Sequence, residues 1–572
     1  MTSKLLLPLV ATLSFGWVGT SQADGVAGPY LAGRVASFQS DYAAAADYFT
    51  RSLLGDPGNI SIMENAILSH IGVGAFDKAL TISSGLDAAG AKSGLADLAV
   101  LASLAKQGQF EAAIGELDKG RSSGVLIDGL YRAWAQLGNG QMSDATATFD
   151  EIAKQQGLAG FARYHKALAL ALVGDFEGAD AIFVDKGNAG IRLTRRSIIA
   201  HAEILSQLER NQDAITLIDN TFGPAPDRAI GEMRQALVAG ELVPFTLVTS
   251  PLDGLAEVFH TVASALASGE GNAAAVSQPD VLMYARTAIY LRPDLAEAVL
   301  LAAANLAEQG QHEMAAATYR LIARDAPAYV TAELGRADAL AAEDRSDAAI
   351  EALEQLTKAY PDLIETWVAL GDIYRHEERF KDSIRVYDKA VALIDTPLPE
   401  HWVVFYARGI CHERAKQWDN AEADFRQALV LNPNQPQVLN YIGYSFVEMN
   451  ENLDEAMSMI ELAARARPDE GAIIDSLGWA LYRLGRYREA EVQMERAIEL
   501  MPVDAVVNDH LGDVYWAVGR FREAEFQWKR ALSFKPETEE VADRIRRKLE
   551  LGLDAVLQKE GAKPLAITKN DG

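Results

Sequence analysis

Small, bulky and proline positions recur along this chain every 34 residues. Gly512, Ala524, Trp528, Ala531 and Pro536 form one set, and Gly478, Ala490, Met494, Ala497 and Pro502 repeat it 34 residues earlier at every position. Gly409, Ala421, Phe425, Ala428 and Pro433 keep the same spacing, as do Gly443, Ala456, Ile460, Ala463 and Pro468 with one residue inserted between glycine and alanine. Gly371, Ser383, Tyr387 and Ala390 make a fifth set, with Asp395 where proline would fall. A period of this length predicts stacked helix-turn-helix units, none of which buries its apolar face alone.

Each position has a physical task. Glycine in the first helix and alanine in the second let the two axes approach closely, at a propensity cost of about 1 kcal/mol for the helical glycine. The bulky residue four after the alanine is expected to fill the groove towards the next unit. Proline then ends the second helix, since it lacks an amide hydrogen and biases the residue before it away from the helical region.

Upstream the glycine fades while the alanine persists: Ala45, Ala79, Ala113, Ala145, Ala179 and Ala214 lie 34, 34, 32, 34 and 35 residues apart. Turn signals such as Gly108-Gln109-Phe110 and Gly174-Asp175-Phe176 precede several of them and return as Gly485-Arg486-Tyr487 and Gly519-Arg520-Phe521. Such a glycine suits the close of a first helix. Pro293, Ala315, Pro327, Ala349 and Pro361 carry the beat through the middle of the chain. Between them the ladder is interrupted by Gly223-Pro224-Ala225-Pro226, Pro244, Pro251 and the polar run Ser268 to Asn272. The reading is therefore divergent repeats over 24–222, a degenerate repeat with loops over 223–280 that could hinge, and clear repeats over 281–536. A closing helix over 537–557 and a disordered tail over 558–572 complete it. The closing helix places acidic residues first and Arg544, Arg546, Arg547 and Lys548 later, in keeping with the helix dipole. The fold class expected is all-α, a solenoid of about 14 helical hairpins.

Composition narrows the function. Hydrophobic residues make up 49% of the chain, too many for a disordered protein. The formal net charge of −27 repels phosphate backbones and anionic headgroups, so nucleic acid is not an expected partner, whereas basic or apolar polypeptide is. Cys411 is the sole cysteine and reads as a small packing residue. At the amino end Lys4 precedes an apolar run from Leu5 to Gly19, and Ser21-Gln22-Ala23 supplies small residues where a signal peptidase needs them. Residues 1–23 are thus expected to be a signal peptide cleaved before Asp24, leaving a periplasmic or secreted protein. With no cysteine near that point, no lipid anchor is expected.

The 34-residue pattern of small, bulky and proline positions resembles the tetratricopeptide repeat family. The resemblance implies paired antiparallel helices in a right-handed superhelix, with a concave groove lined by first helices that binds peptides or partner proteins. The runs Asn440-Tyr441-Ile442-Gly443-Tyr444, Asn452-Leu453-Asp454-Glu455-Ala456, Asp475-Ser476-Leu477-Gly478-Trp479 and His510-Leu511-Gly512-Asp513-Val514 resemble the carboxyl-terminal repeats of proteobacterial envelope members. One branch of those proteins comprises lipoprotein adaptors for a carboxyl-terminal processing protease, whose anchor cysteine this chain lacks.

Residues three before, one after and four after each packing glycine face the groove. In the last three units they include Asn440, Tyr444, Asp475, Trp479, Tyr482, Asp509, Asp513 and Trp516, an aromatic and acidic set suited to a segment carrying Lys or Arg. The opposing reading is that Trp479 and Trp516 simply pack against the neighbouring unit. No zinc-protease helix, phosphate-binding glycine loop or nucleophile elbow occurs, so no catalytic, cofactor or metal residues are assigned. Two readings of function follow: an adaptor that recruits a periplasmic protease or cell-wall hydrolase, or a structural component of an envelope secretion, pilus or polysaccharide-export assembly.

Overall fold

Tight turns close the first helices, and their backbone explains the glycine signal. Gly485 and Gly519 sit at φ +74° and +83°, a left-handed conformation that glycine adopts without strain. Glu378 and Lys416 take the same conformation at equivalent turns, where a side chain costs about 1–2 kcal/mol, which is why the signal fades without the turn changing. The computed structural model describes residues 26–185, 190–223, 227–269 and 277–562. Among them are 31 α-helices, one 3-10 turn and no strand. The proposed signal peptide and cleavage point lie outside the described residues, as do Pro224-Ala225-Pro226 and Glu270 to Val276 of the interrupted stretch. No helix among the described residues is long and apolar enough to cross a membrane.

The backbone forms two units, 1–349 and 350–572. In the second, five helix pairs follow one another, from Ile364–His376 with Phe380–Ala392 to Ala505–Ala517 with Phe521–Ser533. The register alanines Ala421, Ala456, Ala490 and Ala524 are all fully buried. The bulky position behaves differently from the expectation. A Cβ at Gly409 would lie 2.6 Å from Phe425, one at Gly478 2.8 Å from Met494, and one at Gly512 2.4 Å from Trp528. The bulky side chain therefore lies across the glycine of its own pair, and the missing Cβ is what admits it. Cys411 is buried, with its thiol 3.3 Å from the Ser383 hydroxyl.

The chain then closes with two helices, Glu539–Leu551 and Leu553–Lys559, where one over 537–557 was expected. Gly552, at φ +81°, makes the break, and the second helix runs two residues into the span read as a tail. The described tail ends at Ala562. Thr538 caps the first of the two, and Ile545, Leu553 and Val556 bury its apolar face and that of its neighbour.

In the first unit six pairs run from Ala27–Phe38 to Asn211–Phe222. The interrupted stretch holds two well-formed helices, Arg228–Val238 and Pro251–Ala267. Pro251 stands at the start of the second, where its missing amide hydrogen is harmless, and Ser250 caps it. This 17-residue helix pairs with Gln278–Leu291, and together they lie across the first helices of the preceding pairs. The contacts are close: Tyr164 donates to Glu257, Arg286 donates to the Gly72 carbonyl, Lys106 donates to the Leu291 carbonyl, and Phe76 stacks on Tyr290 at 4.2 Å. The inner face of the first unit is thus filled by the chain itself. Further along, Gln309 accepts from the Tyr42 hydroxyl at 2.8 Å, so the Ala296–Glu308 helix reaches the first pair.

Candidate functional site

The second unit keeps part of its inner face open. Helices Trp402–Arg414, Pro436–Met449, Gly471–Arg483 and Ala505–Ala517 bound a cavity of about 740 Å³. Asn440, Tyr444 and Glu448, at i, i+4 and i+8 of one helix, form a single stripe along it, and Tyr441, Asp475 and Glu413 complete the wall. The Asn440 side-chain oxygen is buried and finds no hydrogen-bond partner among the described residues. A carboxamide offers the same donor and acceptor as a peptide group, so it can bind the backbone of an extended segment. Burial, aided by Glu448, pushes the Tyr444 phenol up and keeps it protonated as a donor. Tyr441 donates to Glu413 at 3.2 Å. Arg414 and Glu537, paired at 3.5 Å, stand at the rim.

Asp475 lines this cavity but is held from behind. It is 5% exposed and bonds the His510 ring at 3.0 Å, and that ring stacks on Trp479 with centroids 4.0 Å apart. Burial alone would push His510 down, yet the attraction of Asp475, with Asp509 and Asp513 beside it, leaves the imidazole above its ordinary value. Trp479 also stacks on Tyr482 and donates its indole hydrogen to Glu448.

The other residues expected to face a ligand are engaged by the closing helices. Lys548, with no side-chain exposure, donates to Asp509 at 2.8 Å and meets Asp513 at 2.7 Å, and Asp513 also accepts from the Trp528 indole at 2.9 Å. Trp516 donates to Asp554 at 3.0 Å and lies against Gly552, where a Cβ would come within 2.7 Å of the ring. Tyr482 is buried. Of the eight, Asn440, Tyr444 and Asp475 line the open cavity, Trp479, Tyr482, Asp509 and Asp513 are buried, and Trp516, half-buried, is held against the closing helices. Sequence reasoning missed Glu413, Tyr441 and Glu448. The i, i+4 spacing from Asn440 through Tyr444 would have found Glu448; Tyr441 is on the same helix but off that stripe, and Glu413 comes from the preceding pair, so neither carries such a signal.

Among the described residues no group of three or more His, Cys, Asp and Glu is placed to hold a metal ion. What the helix pairs and this groove define is an all-α repeat scaffold for protein interaction. The family description "tetratricopeptide repeat" matches at residues 334–397, 402–435 and 474–504. In those three stretches the chain carries tetratricopeptide repeats. A repeat-containing protein of Pseudomonas aeruginosa is 25% identical over 164 residues, 28% of this chain and 27% of that one. A peptide N-acetylglucosaminyltransferase of Giardia intestinalis is 29% identical over 101 residues, only 7% of its own length. The chain thus spans about a quarter or less of the curated relatives it matches. Among solved structures, Cut9 with Hcn1 aligns over 90% of this chain and 95% of its own at 14% identity and TM-score 0.37. Yeast Tom70 aligns over 94% and 98% at 14% identity and TM-score 0.35.

Proposed function

We propose that this protein is a non-catalytic adaptor of the bacterial cell envelope, exported by its amino-terminal signal and acting in the periplasm. It binds a partner segment that carries Lys or Arg beside an apolar side chain, in the groove walled by Asn440, Tyr444 and Asp475. A processing protease or a cell-wall hydrolase is the class of partner that an exported adaptor would recruit. The observation that carries the reading is the open cavity of about 740 Å³ with a buried, unpartnered Asn440 oxygen beside aromatic and acidic walls. Tyr441 and Tyr444 supply rigid contact area, while Glu413 and Glu448 supply charge opposite to that of the segment.

The test is affinity capture from an envelope extract with the chain from Asp24 onward, beside an Asn440→Ala, Tyr444→Ala variant of unchanged helical content. A protease or hydrolase held by the parent and lost by the variant is the expected result. Identical sets of captured proteins would overturn the groove reading, and a set of secretion, pilus or export components would overturn the adaptor reading.

A further inference from the structure

The first unit contains a second cavity, of about 490 Å³, where the helix Pro251–Ala267 meets Ala159–Leu172, the start of Arg195–Gln207 and the helix Ala296–Glu308. This is within the size range of small-molecule sites. Phe161, Ile191, Ala265 and Leu301 make its wall apolar. Its floor is polar and closed on itself. Arg196 places Nε and Nη2 on Glu257 at 3.0 and 2.7 Å and Nη1 on Glu297 at 2.8 Å, and the Tyr164 hydroxyl donates to Glu257 at 2.8 Å. Burial would raise Glu257, but the attraction of Arg196 holds it at about 2, so the cluster stays ionised and mutually paired. Arg192 and Arg195 also line the cavity, and Arg195 is bonded to Asp227 at 2.9 Å, so a charged ligand head would have to disrupt an existing pair to find a counter-charge.

One lining group is not satisfied. His260 is 8% exposed, its Nε2 lies 3.4 Å from the Ser264 hydroxyl, and its buried Nδ1 has no hydrogen-bond partner among the described residues. Burial pushes this histidine down, against the attraction of Glu257 and Glu297 and with the repulsion of Arg196, so at neutral pH the ring is uncharged and Nδ1 can pair with a neutral group. A hydroxyl serves whichever tautomer is present, since it both donates and accepts.

We propose that this cavity binds a small, uncharged and chiefly apolar molecule bearing one hydroxyl group, which pairs with Nδ1 of His260 while its body lies against Phe161 and Leu301. The site belongs to the first unit alone and does not depend on the groove of the second.

The experiment uses the full chain and four probes with one bicyclic body: 2-naphthol, naphthalene, 2-naphthoate and 2-naphthylmethylammonium, measured by equilibrium dialysis. Saturable binding of 2-naphthol at one site, about tenfold tighter than the other three, is the expected result, a ratio that corresponds to one hydrogen bond. Ala265→Trp and Leu301→Trp, from two different helices, should each abolish it, and His260→Phe should remove the preference for the hydroxyl while naphthalene still binds. Absence of saturable 2-naphthol binding, tighter binding of either charged probe, or unchanged binding in both folded tryptophan variants would overturn the proposal.

Discussion

Gly512 and Trp528 show how one missing methyl sets the spacing of a helix pair. Because a Cβ at residue 512 would stand 2.4 Å from the indole, Gly512→Ala should destabilise the protein by about 1–3 kcal/mol despite alanine's better helix propensity. Gly231→Ala is the contrast, since nothing lies within 4 Å of its Cβ position, and it should stabilise by up to about 1 kcal/mol. Urea midpoints of the two variants check both signs. Lys548 is the second case. Replacing it by methionine leaves Asp509 and Asp513 buried without their cation and should cost about 3–5 kcal/mol, part of which Asp513→Asn in the same chain restores. His510 gives a pH dependence. Its folded value lies above the ordinary 6.5, so its pairing with Asp475 contributes in full below 6.5 and is lost as pH rises through the folded value. Urea midpoints should therefore fall as pH rises from 6.5 through that value, and the fall should be smaller in Asp475→Asn.

The helix Pro251–Ala267 shows what an element can do that its repeat pattern does not announce. It has no partner set of glycine, alanine and proline, yet Leu255, Val258 and Phe259 are fully buried and Gly254 lies against Trp134, where a Cβ would stand 2.3 Å from the ring. Gly254→Leu should loosen this helix from the inner face of the first unit, seen as faster amide exchange in Pro251–Ala267 and Val125–Gly138 with little change in 402–533. The closing helices do the matching task in the second unit, and they take the last third of the expected groove with them. The single helix expected over 537–557 passes over Gly552, the residue type that closes helices elsewhere in the chain; here it turns at φ +81° with the Trp516 ring packed against it.

Over the whole molecule, a net charge of −27 surrounds a groove whose own excess is acidic. Capture of a basic partner should therefore weaken as salt rises, chiefly through slower association, and rate measurements at low and high ionic strength would show it.

The 34-residue beat determined by itself that the chain is all-α and paired, where the turns fall, and which alanines and glycines are buried, because these follow from contacts between helices close in sequence. It also placed Asn440, Tyr444 and Asp475 on the inner face, since facing is fixed by helical period. Only the tertiary structure decided which inner positions remain open. Lys548 reaches Asp509 across 39 residues, and Tyr164 reaches Glu257 across 93, and no periodicity records pairings of that length. The groove residues lost to the closing helices and the inner face filled by Pro251–Ala267 have the same cause: a repeat specifies its neighbours, while the segments that interrupt or end it choose their own partners through long-range burial and charge.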